Sequence, residues 1–112
     1  MEPKERQALY YQDRNGDQPF QIWRDGCGDI KAKVAIDSRI TRLRSGNFGD
    51  SKSVGSGVSE LRVHLGPGYR IYYGIDGDKI ILLCGGDKDS QEIDIKRAKE
   101  LGFDYKQRTN KG

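Results

Sequence analysis

Apolar positions recur along the chain with two periods, and each change of period marks a new element. Ala8 to Gln12 reads as a first strand, closed by the turn signal Asn15-Gly16. Pro19 suits the opening of a short helix. That helix would carry Phe20 and Trp23 on one face and end at Gly26 and Gly28. A longer helix runs from about Asp29, its N-cap, to Leu43. Ala32, Ile36, Ile40 and Leu43 form its apolar stripe, and Gly46 stops it. Ile30 and Val34 fall on a flank suited to meeting the first helix, while Lys31, Arg39 and Arg42 share a solvated sector. Ser45 to Gly57 then reads as a long, glycine-rich loop.

The period changes to two beyond that loop. Leu61, Val63 and Leu65 alternate with Glu60, Arg62 and His64, which predicts a half-buried strand. After Gly66-Pro67-Gly68, a second strand sets Tyr69, Ile71, Tyr73 and Ile75 against Arg70 and Tyr72. Asp76-Gly77 is a hairpin turn signal. Lys79 to Cys84 is apolar on both faces, which predicts a central strand covered on each side and ended by Gly85-Gly86. Ser90 caps a last helix to about Leu101 with Ile93, Ala98 and Leu101 inward, and Asp104 to Gly112 reads as a frayed polar tail. Together these elements predict a single domain over residues 1–112, with its ordered core at about 8–102.

Composition narrows the function classes. A chain of 112 residues supports one modest core. No apolar run approaches the ~20 residues of a membrane span, and no apolar stretch follows Met1 to Gln7, which argues against a signal peptide. A net charge of +3 is compatible with a nucleic acid or an acidic protein as partner. Cys27 and Cys84 read as two reduced thiols of a cytoplasmic protein. One histidine and no CxxC pair leave no metal site and no implied cofactor.

The chemistry suggested by the alternation lies on the hairpin. Paired as neighbours, the two strands would project Arg62, His64, Arg70 and Tyr72 from one face. Arginine grips phosphate with a planar fork, histidine exchanges protons near neutral pH, and tyrosine can stack on a base. Lys88, just past Gly85-Gly86, can bring another cation to that face. An ordinary polar sheet face accounts for the same pattern.

A resemblance sharpens the choice. The residues that carry it are Pro19-Phe20 to Trp23, Arg39-Ile40 with Arg42-Leu43, and Gly46-Asn47-Phe48-Gly49-Asp50 with Lys52. They continue with Gly57-Val58-Ser59-Glu60-Leu61-Arg62, Gly66-Pro67-Gly68-Tyr69-Arg70 and Leu83-Cys84-Gly85-Gly86-Asp87-Lys88, and close with Gln91, Asp94-Ile95 and Ala98. In this order, over roughly residues 8 to 102, the set resembles the HigB-like addiction-module killer proteins of the RelE/ParE toxin superfamily. The resemblance implies an α+β, RelE-like fold: a mainly antiparallel twisted sheet, N-terminal helices packed on one side and a C-terminal helix. It implies the toxin of a type II toxin-antitoxin module, neutralised by a HigA-like helix-turn-helix antitoxin. It also implies a metal-independent endoribonuclease that cuts mRNA on the ribosome.

On that resemblance, Arg62 and Arg70 match basic residues around the scissile phosphate. His64 falls near a second basic position and Lys88 near a C-terminal one. Arg62, His64, Arg70 and Lys88 are then the expected catalytic set, with Tyr72, Lys52 and Gln91 as substrate contacts. Where ribosome-dependent members carry a C-terminal tyrosine, this chain has Asp94-Ile95. The rival expectations are a ParE-like, non-catalytic inhibitor of DNA gyrase or another host protein, and a plain binding module.

Overall fold

The computed structural model describes residues 5–109. The elements follow in the order β1 (Gln7–Tyr10), α1 (Pro19–Asp25), α2 (Ile30–Arg44), β2 (Ser51–Gly55), β3 (Val58–Val63), β4 (Tyr69–Asp76), β5 (Lys79–Gly86) and α3 (Gln91–Thr109). The class is α+β, with a five-stranded mixed sheet in the order β1-β5-β4-β3-β2. β2 to β5 pair antiparallel, and β1 returns to lie parallel to β5, with Ala8 opposite Ile80.

Each face of the sheet is covered by a different part of the chain. Phe20, Ile36 and Leu43 of the two N-terminal helices pack on Leu61, Val63, Ile71, Tyr73, Ile80 and Leu82. On the opposite face, Ala98, Ile95 and Leu101 of α3 pack on Val58, Tyr72, Ile81, Leu83 and Cys84. The alternation along β5 is interrupted at a bulge: Tyr72 pairs with Cys84 and Tyr73 with Leu82, which leaves Leu83 as the extra residue. Leu83 and Cys84 therefore both point toward α3.

Local signals set the helix ends. The Asp29 side chain accepts from the Lys31 N–H and caps α2. Gly77 takes φ +60 in the tight β4–β5 turn, a value L side chains adopt rarely.

Four sequence expectations are corrected. The Ser45 to Gly57 segment is not all loop, because Ser51, Lys52 and Ser53 pair with Leu61, Glu60 and Ser59 to add β2 as an edge strand. The last helix does not stop near Leu101 and the following residues do not fray through 109. Tyr11 donates to Asp104 at 2.6 Å and Tyr105 to Asp76 at 2.8 Å, which fastens the last turns to the sheet. The rest of the expected tail, 110–112, lies outside the described residues. Ile30, Val34 and Ile93 are exposed rather than packed, and Ile95 takes the inward place expected of Ile93. Gly85 and Gly86 belong to β5 rather than ending it. A Cβ on Gly85 would lie 2.1 Å from the Trp23 ring, and one on Gly86 would lie 1.8 Å from Asp94. The pair lets α1 and α3 close on opposite faces of the same strand.

Candidate functional site

The β3–β4 register places Arg62 directly opposite Arg70, and Glu60 opposite Tyr72. Like charges at opposed positions repel, so this face needs a counter-charge. Glu60 supplies it from a fully buried position. Its Oε1 accepts from Arg62 Nε at 3.3 Å, and its Oε2 accepts from Tyr72 Oη at 3.0 Å and from Gln91 Nε2 at 2.9 Å. Arg70 Nε lies 3.6 Å from Oε2. Burial pushes the Glu60 carboxyl upward, but the donors Gln91, Tyr72 and Arg62, with the Arg70 charge, outweigh burial and hold it below the usual glutamate range. Burial and the same bond to Glu60 push the Tyr72 hydroxyl well above the ordinary tyrosine value.

Above this buried layer lies an open cleft of about 280 Å³ whose walls include Arg62, His64, Tyr69, Arg70 and Lys88. Arg70 is 8% exposed and donates from Nη1 to the Gly68 carbonyl at 3.2 Å. His64 is exposed, one residue past β3, and its Nε2 lies 2.6 Å from Asp50 Oδ2. The loop that carries Lys88 is folded on Asp87, whose Oδ1 accepts from the Asp89 and Ser90 N–H groups. Tyr69 forms an aromatic wall, with Trp23 edge-on behind it at 6.1 Å. A second recess of about 210 Å³ opens between α3 and the strands at Val58, Ile81 and Leu83, but no arginine or histidine lines it.

The structure thus brings Arg62, His64, Arg70 and Lys88 to one cleft. It corrects the expected substrate contacts. Tyr72 is fully buried, so it has no open face on which a base could stack. The aromatic surface at the cleft belongs to Tyr69 instead. Gln91 is turned to Glu60 rather than outward. Lys52 is exposed and sits opposite Glu60 on β2, beside the cleft and not in its wall.

Glu60, Asp50 and Tyr69 were missed as site residues. For Glu60 the signal was present, because the Glu60–Arg62 spacing and the hairpin pairing put it on the arginine face. What hid its burial was α3. Neither cysteine offers a nucleophile. Burial pushes the Cys84 thiol up to about 12 and raises Cys27 as well, so both stay protonated at neutral pH. Among the described residues, no group of three His, Cys, Asp or Glu side chains could hold a metal ion, and no helix is long and apolar enough to cross a membrane.

No family model matches the chain, and no solved structure matches it. A Haemophilus influenzae protein, described as uncharacterized, is 51% identical over 83 residues, which cover 73% of this chain and 84% of that protein.

Proposed function

We propose that this chain, which belongs to the same family as the Haemophilus influenzae protein, is the toxin of a type II toxin-antitoxin module and cuts mRNA on the ribosome. The observation that carries the reading is the convergence of Arg62, His64, Arg70 and Lys88 on one open cleft. Two arginines and a lysine match the negative charge of a phosphodiester, and histidine is the side chain suited to moving a proton at neutral pH. In this reading the fold is RelE-like, the protein acts in the cytoplasm, and a HigA-like antitoxin neutralises it.

The chemistry is a transesterification written with side chains. The ribose 2′-oxygen attacks the neighbouring phosphorus and loses its proton to His64, which Asp50 orients. The phosphorane charge falls to Arg62 and Arg70, and Lys88 adds a phosphate contact. The P–O5′ bond breaks, the 5′-oxygen takes a proton from water, the exposed His64 gives its proton back to water, and the products are a 2′,3′-cyclic phosphate and a 5′-hydroxyl. Tyr69 stacks against a flanking base.

The test adds the purified protein to a defined translation reaction, with naked mRNA alongside, and maps new 5′ ends. Cuts that need translation support the reading. Arg70→Ala should abolish them, and Arg70→Lys should rescue poorly because it lacks the planar fork. Full cleavage by folded Arg70→Ala sinks this site, and no cleavage by the wild type moves the function to a protein target such as gyrase.

A further inference from the structure

Arg70 is 8% exposed, yet its Nε has no hydrogen-bond partner among the described residues. Buried donors in folded proteins are nearly always paired, and an orphan is costly. The cause lies on the neighbouring carboxylate. Oε2 of Glu60 is 3.6 Å from Arg70 Nε, but Tyr72 and Gln91 already donate to it at 3.0 and 2.9 Å. A carboxylate offers about two lone-pair sites per oxygen, so two neutral donors fill this one. Oε1 accepts a single bond, from Arg62, but Oε2 is the oxygen that faces Arg70 Nε. Glu60 therefore balances the charge of Arg70 without closing the two-bond fork that arginine and carboxylate ordinarily form.

We propose that Tyr72 and Gln91 are positioning residues that deny Glu60 to Arg70, so that the Arg70 guanidinium stays available to a phosphate in the cleft. The proposal rests on the reading of that cleft as a phosphodiester site, and it gives Tyr72 and Gln91 a role other than touching substrate. It also accounts for two neutral donors on a carboxylate that has two arginines within reach. Losing either donor frees a lone pair, Arg70 closes on Glu60, and the anion loses its partner. Removing the Glu60 charge as well releases Arg70 again.

That reversal of sign is the test. Wild type, Tyr72→Phe, Gln91→Leu and each of these combined with Glu60→Gln are titrated with pyrophosphate. The Arg70 Nε–H resonance is followed by NMR, and kcat and KM for RNA cleavage are measured in parallel. Each single variant should weaken pyrophosphate binding by about tenfold, the scale of one charge-assisted hydrogen bond. It should also move the Nε–H signal toward a hydrogen-bonded value and raise KM more than it lowers kcat. Adding Glu60→Gln should restore most of the binding. A purely structural role predicts the reverse, because each further lost bond adds damage. Unchanged affinity in the single variants, or further loss on adding Glu60→Gln, overturns the proposal. If Tyr72→Phe fails to fold, the half-buried Gln91→Leu carries the same comparison. A wild type that does not bind pyrophosphate also overturns it. A wild type that binds pyrophosphate and shows the reversal, but cuts no RNA, upholds the positioning and refutes only the ribonuclease reading.

Discussion

Gly85→Ala is the sharpest test of how the cleft is built. The backbone there is not left-handed, so alanine meets no conformational penalty and the effect is steric. The new Cβ would sit 2.1 Å from Trp23 Cε3 and 2.4 Å from Cδ2 and Cζ3. Carbon atoms pack at about 3.5–4.0 Å, so the ring must retreat by about 1.5 Å. It has little room to do so. Phe20, fully buried, lies 5.7 Å away, and Tyr69 lies 6.1 Å away. Extra methylenes in tight cores cost about 1–3 kcal/mol, and a clash against a wedged indole belongs at the upper end, about 3 kcal/mol. In a domain of this size that lowers Tm by about 12–15 °C. Thermal unfolding followed by the emission of Trp23, the only tryptophan, reports both the loss and the changed surroundings of the ring. In a Trp23→Leu background the same alanine should cost under about 1 kcal/mol, because the obstructing ring is gone. A Tm shift below about 3 °C, or an equal loss in both backgrounds, refutes the packing account.

Other expectations follow from ionisation and capping. Glu60 is held below the usual glutamate range, so its contribution is full above about pH 4.3, the unfolded value, and is lost as pH falls through the lower folded value. Glu60→Gln should flatten the acid limb of a stability-pH curve; an unchanged limb counts against an ionised Glu60. Burial, with bonds to Asp104 and Asp76, raises Tyr11 and Tyr105 to about 12. Their contribution is complete below about pH 10 and disappears between about pH 10 and 12, so phenylalanine at both positions should shrink the alkaline loss. Asp29→Ala removes the cap on α2 and should cost about 1 kcal/mol in urea unfolding, while Asp29→Asn should cost little.

The elements legible in the sequence were those whose signals are local. Pro19, the Asp29 cap, the Ala32–Ile36–Leu43 stripe and the doubly apolar β5 each follow from their own few residues, and the structure bears them out. β2 was not legible because Ser51, Lys52, Ser53 and Gly55 have neither β propensity nor an apolar face. It becomes a strand only because β3 offers it a free edge. The length of α3 was hidden for a related reason, since its last turns are held by the distant partners Tyr11 and Asp76. The site shows the same division. Alternation put Arg62 and Arg70 on one face, but that face was read as open. Covering it with α3 turned Tyr72 from a surface ring into a buried donor and made Glu60 the centre of the arrangement.

The placement of β1 and α1 has a consequence for how the protein is made. β1 leaves the ribosome about seventy residues ahead of its partner β5, and Trp23 waits for the bare backbone at Gly85. Gln91, which takes the second place on Oε2 of Glu60, emerges later still. Contacts this distant in sequence form late. A nascent chain therefore carries Arg62 and Arg70 without the frame that orients them, and truncated translation products lack it permanently. For a protein proposed to attack the translation machinery, that order of events delays activity until α3 has emerged and packed.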